Sequence, residues 1–225
     1  MTKLFAFQAS QALHEDFDTL TEAFADGKLP ATPQAAVAVR LAQRYADEIV
    51  DAVIGNLLKG ADANGAAPKV LETVINIIKG TVHALIRQIL SKMPNKELRS
   101  VVDYVETCRT QLLVDGKPRD FISFELSEAD YALLKESWSA AARGEGDRAK
   151  VTQAMNRFGE LAIEAYYDDS AEAMKLGFIA RNMFSVGHAA ISKGAKMAIS
   201  RLVPSLSERE LRDFAAYFES MLKDV

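Results

Sequence analysis

The sequence predicts an all-α protein, with eight main helices forming a tandem duplication of two similar four-helix units related by a pseudo-two-fold axis. Three observations lead there. Apolar residues recur at three- and four-residue spacing along most of the 225-residue chain. Capping residues, prolines and glycines cut that pattern into eight segments. Four blocks from the first half then return, in the same order, in the second.

Ser10 caps a first helix running to about Ala25, with Leu13, Phe17, Leu20 and Phe24 on one face and Gly27 ending it. Thr32-Pro33 opens the second, which runs to Lys59. Gly60 to Pro68 is a loop by composition. A third helix reaches about Lys92 and stops at Pro94. Asn95 caps the fourth, whose core stripe is Leu98, Val101, Val102, Val105, Cys108 and Leu112. Asp115-Gly116-Lys117-Pro118 is the plainest turn in the chain. The fifth helix spans Ser127 to Ala142, and the sixth about Asp147 to Tyr167. Asp168-Asp169-Ser170 joins the sixth to a seventh running from Ala171 to Val203, before Pro204. Ser207 and Glu210 make a capping box for the eighth. Leu4 to Phe7 and Phe121 to Phe124 precede capping serines. They read as hydrophobic staples, with pairing into a small ribbon as the alternative.

The repeat fixes the organisation. Phe7 to Ala12 matches Phe124 to Ala129 at an offset of 117, and Gly27 pairs with Gly144 at the same offset. Arg44-Tyr45 with Asp47 and Asp51 matches Arg157-Phe158 with Glu160 and Glu164 at 113. Lys79-Gly80, Ala84 and Arg87 match Lys193-Gly194, Ala198 and Arg201 at 114, and Glu97-Leu98-Arg99 with Tyr104 matches Glu210-Leu211-Arg212 with Tyr217 at 113. The halves are therefore 1–116 and 117–225. A period this long exceeds that of solenoid repeats, so each copy can build a four-helix layer or merge with the other into one helical domain.

Composition removes several function classes. A formal charge of −4, shared as −2 per half, argues against general nucleic-acid binding. One cysteine, Cys108, allows no internal disulfide and no Cys-based zinc site. The most apolar stretches, Val70 to Ile78 and Phe178 to Ile191, are broken by polar residues and give no membrane span, and no signal peptide is read at the N-terminus. The expected compartment is the cytoplasm. No Walker loop, dinucleotide fingerprint or nucleophile elbow is present, so no catalytic residue and no cofactor are assigned. Asp47 with Asp51 and Glu160 with Glu164 have metal-ligand spacing, but Arg44 and Arg157 stand nearly in line with them and favour ion pairing, so no metal is assigned.

The repeated polar feature is basic. No acid lies between Glu72 and Glu97 or between Glu172 and Glu208. Lys79, Arg87, Lys193 and Arg201 are thus the candidate ligand-binding residues for a small anionic ligand, unless they answer acids on neighbouring helices. Gly80-x-x-x-Ala84 and Gly194-x-x-x-Ala198 read as places where helices approach closely. The function expected is a non-enzymatic binding, adaptor or regulatory protein that engages a protein partner through helix faces. The alternatives are a sensor for an anionic ligand on the basic helices and an enzyme with one asymmetric site near His83 or His188. An oligomer is compatible with each.

Overall fold

The computed structural model describes residues 1–55, 66–173 and 178–225. The eight main helices are there, but so is a four-stranded antiparallel sheet, so the fold is a mostly helical α+β fold and not all-α. In chain order the elements are β1 (Lys3–Gln8), α1 (Gln11–Ala23), α2 (Ala35–Val50), α3 (Ala66–Leu90), α4 (Asn95–Thr107), β2 (Arg109–Val114) and β3 (Lys117–Glu125). They continue as α5 (Glu128–Ala142), α6 (Arg148–Ile163), α7 (Phe178–Ser205), α8 (Glu208–Ser220) and β4 (Leu222–Asp224). A π-helical turn extends α2 over Asp51–Gly55, and another extends α6 over Glu164–Asp168 before one more helical turn, Asp169–Ala173. Asp168-Asp169-Ser170 is therefore helical rather than a loop. The expected loop at Gly60 to Gly65 lies outside the described residues, and Ala66 to Pro68 already belong to α3.

The strands escape a periodicity reading for physical reasons. Leu4 to Phe7 and Phe121 to Ser123 are buried at every position, so they lack the polar alternation of a half-solvated strand. Leu112 follows Cys108 by one helical turn and so extends the α4 stripe on paper, yet the chain has already turned into β2. The turn after β2 is the telling feature. Asp115 has φ 51° and Gly116 φ 74°, the two left-handed residues of a tight hairpin whose twist suits flanking strands. Asn95 also departs from expectation. The residue before α4 is Pro94, and the Asn95 side chain instead accepts from the Gln34 amide (2.9 Å) and donates to the Pro30 and Thr32 carbonyls, tying down the entry to α2. Ser10, Ser127 and Ser207 cap their helices, and Ser207 completes its box with Glu210.

The strand order is β2-β3-β1-β4, and it reads the same when the two halves are exchanged. Helix α5 begins 117 residues after α1, whereas α6, its π turn, α8 and β4 begin 113 after α2, its π turn, α4 and β2. In the central pair Ala6 faces Ser123, its own counterpart at 117, with Phe5 opposite Phe124 and Phe7 opposite Ile122 on either side. The outer pairs obey the same exchange, since Arg109 faces Ile122 as Leu222 faces Phe5. Reciprocal backbone bonds continue it. Ala6 N donates to Met221 O and Ser123 N to Cys108 O, while Ala9 N donates to Asp120 O and Leu126 N to Lys3 O, all at 2.8–2.9 Å.

Core packing spans both halves. Phe5 on β1 packs tilted against Phe158 of α6, with ring centroids 4.5 Å apart, and Phe158 also touches Trp138 of α5 and Phe218 of α8. Phe5, Phe158, Trp138 and Phe218 are all fully buried. Removing an aromatic side chain of this kind from water is worth roughly 2–3 kcal/mol. Tyr104 of α4 donates to Ala165 O (2.7 Å) in the π turn after α6, and Tyr217 of α8 donates to Ala52 O (3.0 Å) in the π turn after α2. The wider π turn takes carbonyls off the straight helical ladder, and each tyrosine satisfies one from the opposite half.

Helices α3 and α7 pack on each other, but not through the expected glycine pair. A Cβ on Gly194 would make ordinary contact with Val74 and Ile78, whereas one on Gly80 would meet nothing. The close approach is at Gly187, where a Cβ would lie 2.1 Å from Tyr167 Oη and 2.8 Å from Leu85 Cδ1. Gly80→Ala is therefore expected to raise stability by about 0.5–1 kcal/mol through helix propensity. Gly187→Ala should lower it by roughly 1–3 kcal/mol through overpacking. Urea unfolding of the two variants checks both signs.

A fragment ending at Gly116 keeps β1 but loses β3 and β4, its only strand neighbours among the described residues. We expect it to fold cooperatively only as a dimer, with β1 pairing about Ala6 with the same strand of a second fragment. Its melting temperature by circular dichroism should then rise over a roughly hundredfold concentration range. A concentration-independent cooperative monomer would contradict this.

Candidate functional site

The four candidate cations do not converge. Lys79 Nζ is engaged by Asp51 Oδ1 at 2.8 Å and faces Asp47 at 3.8 Å, so it answers the acids of α2 and its π turn. Arg87, Lys193 and Arg201 are exposed on α3 and α7. None of the four lines the cavities and grooves named below. Arg157 does pair with Glu160 as expected, at 3.9 Å, but the nearest partners of Arg44 and Arg157 are on other helices. Arg44 Nε binds Asp16 Oδ2 (2.6 Å) on α1, joined there by Arg40 (2.8 Å), and Arg157 Nε binds Asp130 Oδ1 (2.7 Å) on α5.

The structural offset between α3 and α7 is 113, not 114. His83 Nε2 meets Asp47 Oδ1 at 2.9 Å, and Lys196 Nζ meets Glu160 Oε1 at 3.2 Å, with both residues of one pair 113 before those of the other. The single-residue difference rotates a helix position by about 100°. Lys79 and Lys193 are thus not counterparts: Lys193 corresponds to Gly80, and Lys79 to Ser192. The sequence match of Lys-Gly with Lys-Gly pulled the alignment one residue out of register. The carboxylate partners of His83 and Lys196 carried the correct signal.

Each histidine has a carboxylate. His188 Nδ1 lies 2.8 Å from Asp168 Oδ1, above a groove lined by Asn156, Glu160, Ser192 and Lys196. Among the described residues no three His, Cys, Asp or Glu side chains form a metal-binding group, and Cys108 is a free, buried thiol. His14 belongs to the most heavily charged cluster. Its Nδ1 hydrogen-bonds the Asp120 carboxylate on β3, which also accepts from Arg109 Nε (2.8 Å) on β2. Arg109 Nη2 reaches Asp18 Oδ1 at 2.9 Å. The Asp120 side chain is only 4% exposed. Burial alone would raise its pKa, but hydrogen bonds from Arg109 and His14 hold it below the usual carboxylate value. At Asp16, burial is likewise outweighed by Arg44 and Arg40. Hairpin β2–β3 brings Arg109 and Asp120 together, and no sequence spacing marks them.

Two apolar cavities sit at matched places. One, about 100 Å³, is lined by Ala42, Tyr45, Leu85, Ile89, Val101 and Phe184 among others. The second, about 40 Å³, is lined by Met155, Phe158, Ala198, Leu202, Phe214 and Leu71, each at 113 from its counterpart. A shallow groove between α3 and α7 on the outer surface is lined by Ile77, Gly80, Ala84, Asn182 and Val186. No helix among the described residues is long and apolar enough to cross a membrane.

No family model, no curated protein and no solved structure matches the chain.

The electrostatics of Asp120 and Asp16 give a pH dependence of definite sign. A carboxyl whose folded pKa is depressed contributes stability above its unfolded pKa and loses it as pH falls through the folded value. The unfolding free energy should therefore decline below about pH 4, and Asp120→Asn should flatten that decline. At pH 7, Arg109→Met should cost about 3 kcal/mol, because it strips a buried carboxylate of its main partner while His14 remains. Denaturant titrations from pH 7 downwards measure both.

Proposed function

We propose that the chain is one unit used twice, 1–116 and 117–225, and that it acts as a non-enzymatic binding protein docking an acidic protein partner. The docking surface in this reading is the outer face of α3 and α7, and the setting is the cytoplasm. One observation carries it. This face leaves Ile77 56% and Val186 72% exposed, together with Met197. Arg87, Arg181, Lys193 and Arg201 are exposed on the same two helices, whose only carboxylate is Glu72. Apolar side chains on a groove, on helices where these four cations make no ion pair among the described residues, fit a partner helix or loop that carries its own acids. The small residues Gly80 and Ala84 leave room in the groove for a backbone to approach.

The anionic-ligand reading has less support, because Lys79 is already neutralised by Asp51 and the other three cations are spread over an open surface. A docking surface needs no convergence, only a field of one sign across an apolar patch.

The test is photo-crosslinking in cells from position 186, with position 15 on the exposed surface of α1 as the control. One predominant acidic protein should cross-link from 186 and not from 15. Replacing Arg87, Lys193 and Arg201 by Glu should abolish the product, and salt should weaken the purified complex. Equal products from both positions, or a product indifferent to the charge reversal, would overturn the reading.

A further inference from the structure

The larger of the two matched cavities differs from its counterpart in one chemical respect: it carries hydroxyls. Tyr45, Tyr104, Tyr166, Tyr167 and Ser170 line it. At the positions 113 away the smaller cavity has Phe158 for Tyr45, Val53 for Tyr166 and Ile54 for Tyr167. Two of the tyrosine hydroxyls are accounted for, since Tyr104 donates to Ala165 O at 2.7 Å and Tyr167 to Phe184 O at 3.0 Å. The other two are not. The hydroxyls of Tyr45 and Tyr166 are buried and have no nitrogen or oxygen partner among the described residues, and beside Tyr45 stands the thiol of Cys108, a weak hydrogen-bonding group.

Buried hydroxyls without partners are rare, because each gives up its bonds to water and gains nothing in return. A Phe at position 45 would avoid the loss, and Phe158 occupies the matched position in the other half. The two rings meet edge to face with centroids 6.2 Å apart, so both phenols border the same space. Burial drives both phenol pKa values well above the usual one, which keeps them protonated as donors. No Lys, Arg, His, Asp or Glu lines the cavity, so a charged ligand would be left unpaired there.

We propose that this cavity binds a small, uncharged, mainly apolar molecule carrying a carbonyl oxygen, which accepts hydrogen bonds from Tyr45 and Tyr166. The size is bounded. A cavity of about 150 Å³ accommodates benzene with its six heavy atoms, so the roughly 100 Å³ here suits a compact molecule of about four heavy atoms. The apolar walls from Leu85, Ile86, Ile89 and Val101 hold its hydrocarbon body, and the two hydroxyls fix its orientation. The site is distinct from the α3/α7 outer groove, with Leu85 bordering both.

Acetone and 2-methylpropene are the probes, nearly identical in shape and differing in C=O against C=CH2. With the full chain, acetone should raise the melting temperature and bind more tightly than the hydrocarbon. It should also shift the 13Cζ resonances of Tyr45 and Tyr166 but not that of Tyr104. The double variant Tyr45→Phe, Tyr166→Phe should bind acetone about thirtyfold more weakly, the loss of both hydrogen bonds to its carbonyl. Its affinity for 2-methylpropene should be unchanged or improved, and retained hydrocarbon binding shows that the cavity is still formed. Equal binding of the two probes by the unaltered chain would overturn the proposal. So would acetone binding that leaves the Tyr45 and Tyr166 resonances unmoved, or no binding of either probe.

Discussion

The antiparallel pairing of β1 with β3 about Ala6 and Ser123 is the constraint on which the other contacts rest. Each buried strand must hydrogen-bond along both edges, because a buried amide or carbonyl left without a partner is costly. Strand β1 finds β3 on one side and β4 on the other, both from the second half of the chain. Strand β3 finds β1 and β2, both from the first. The backbone is thus satisfied only across the halves. Whatever the history of the sequence, the sheet joins the two halves strand to strand.

Once the sheet fixes the exchange, the helices repeat it. Tyr104 and Tyr217 cross in opposite directions to the π turns of the other half, and Phe5 enters the aromatic cluster formed by Trp138, Phe158 and Phe218. These contacts are long-range in sequence and short in space. Helices α3 and α7 close the arrangement by packing against each other at Gly187 and Gly194. Their outer faces remain exposed, with a cationic and partly apolar surface.

The departures from the exchange are as informative as the exchange itself. The cluster of His14, Arg109, Asp120 and Asp18 has no copy. The matched positions hold Tyr131, Leu222, Lys3 and Lys135, where Lys3 pairs with Asp224 and packs over the Tyr131 ring. Backbone geometry is shared while the electrostatics differ. The same holds for the matched cavities, one with phenols and one with Phe158 and Val53. A symmetric frame therefore carries asymmetric chemistry, and the side chains that break the symmetry are the informative ones for function.

The sequence by itself determined the main helices, the serine caps at Ser10, Ser127 and Ser207, the turn at Asp115-Gly116 and the recurrence of the first half in the second. Those signals are local: a cap bonds three residues on, a stripe repeats every turn, and a left-handed turn selects glycine. Recurrence is a property of the residue string. Tertiary structure decided between staple and ribbon for the two inner strands, because both are buried on both faces and each lies more than a hundred residues from the other in sequence. It also decided the register of α7 against α3, where a Lys-Gly match pointed to 114 and the ion pairs of His83 and Lys196 set 113. The partners of Lys79, Arg44 and Asp120 follow the same rule, since a helical spacing names a face but not the element that covers it. The tyrosines of the larger cavity were visible one by one in the sequence. That two of them lack a nitrogen or oxygen partner is a fact of packing, which no spacing encodes.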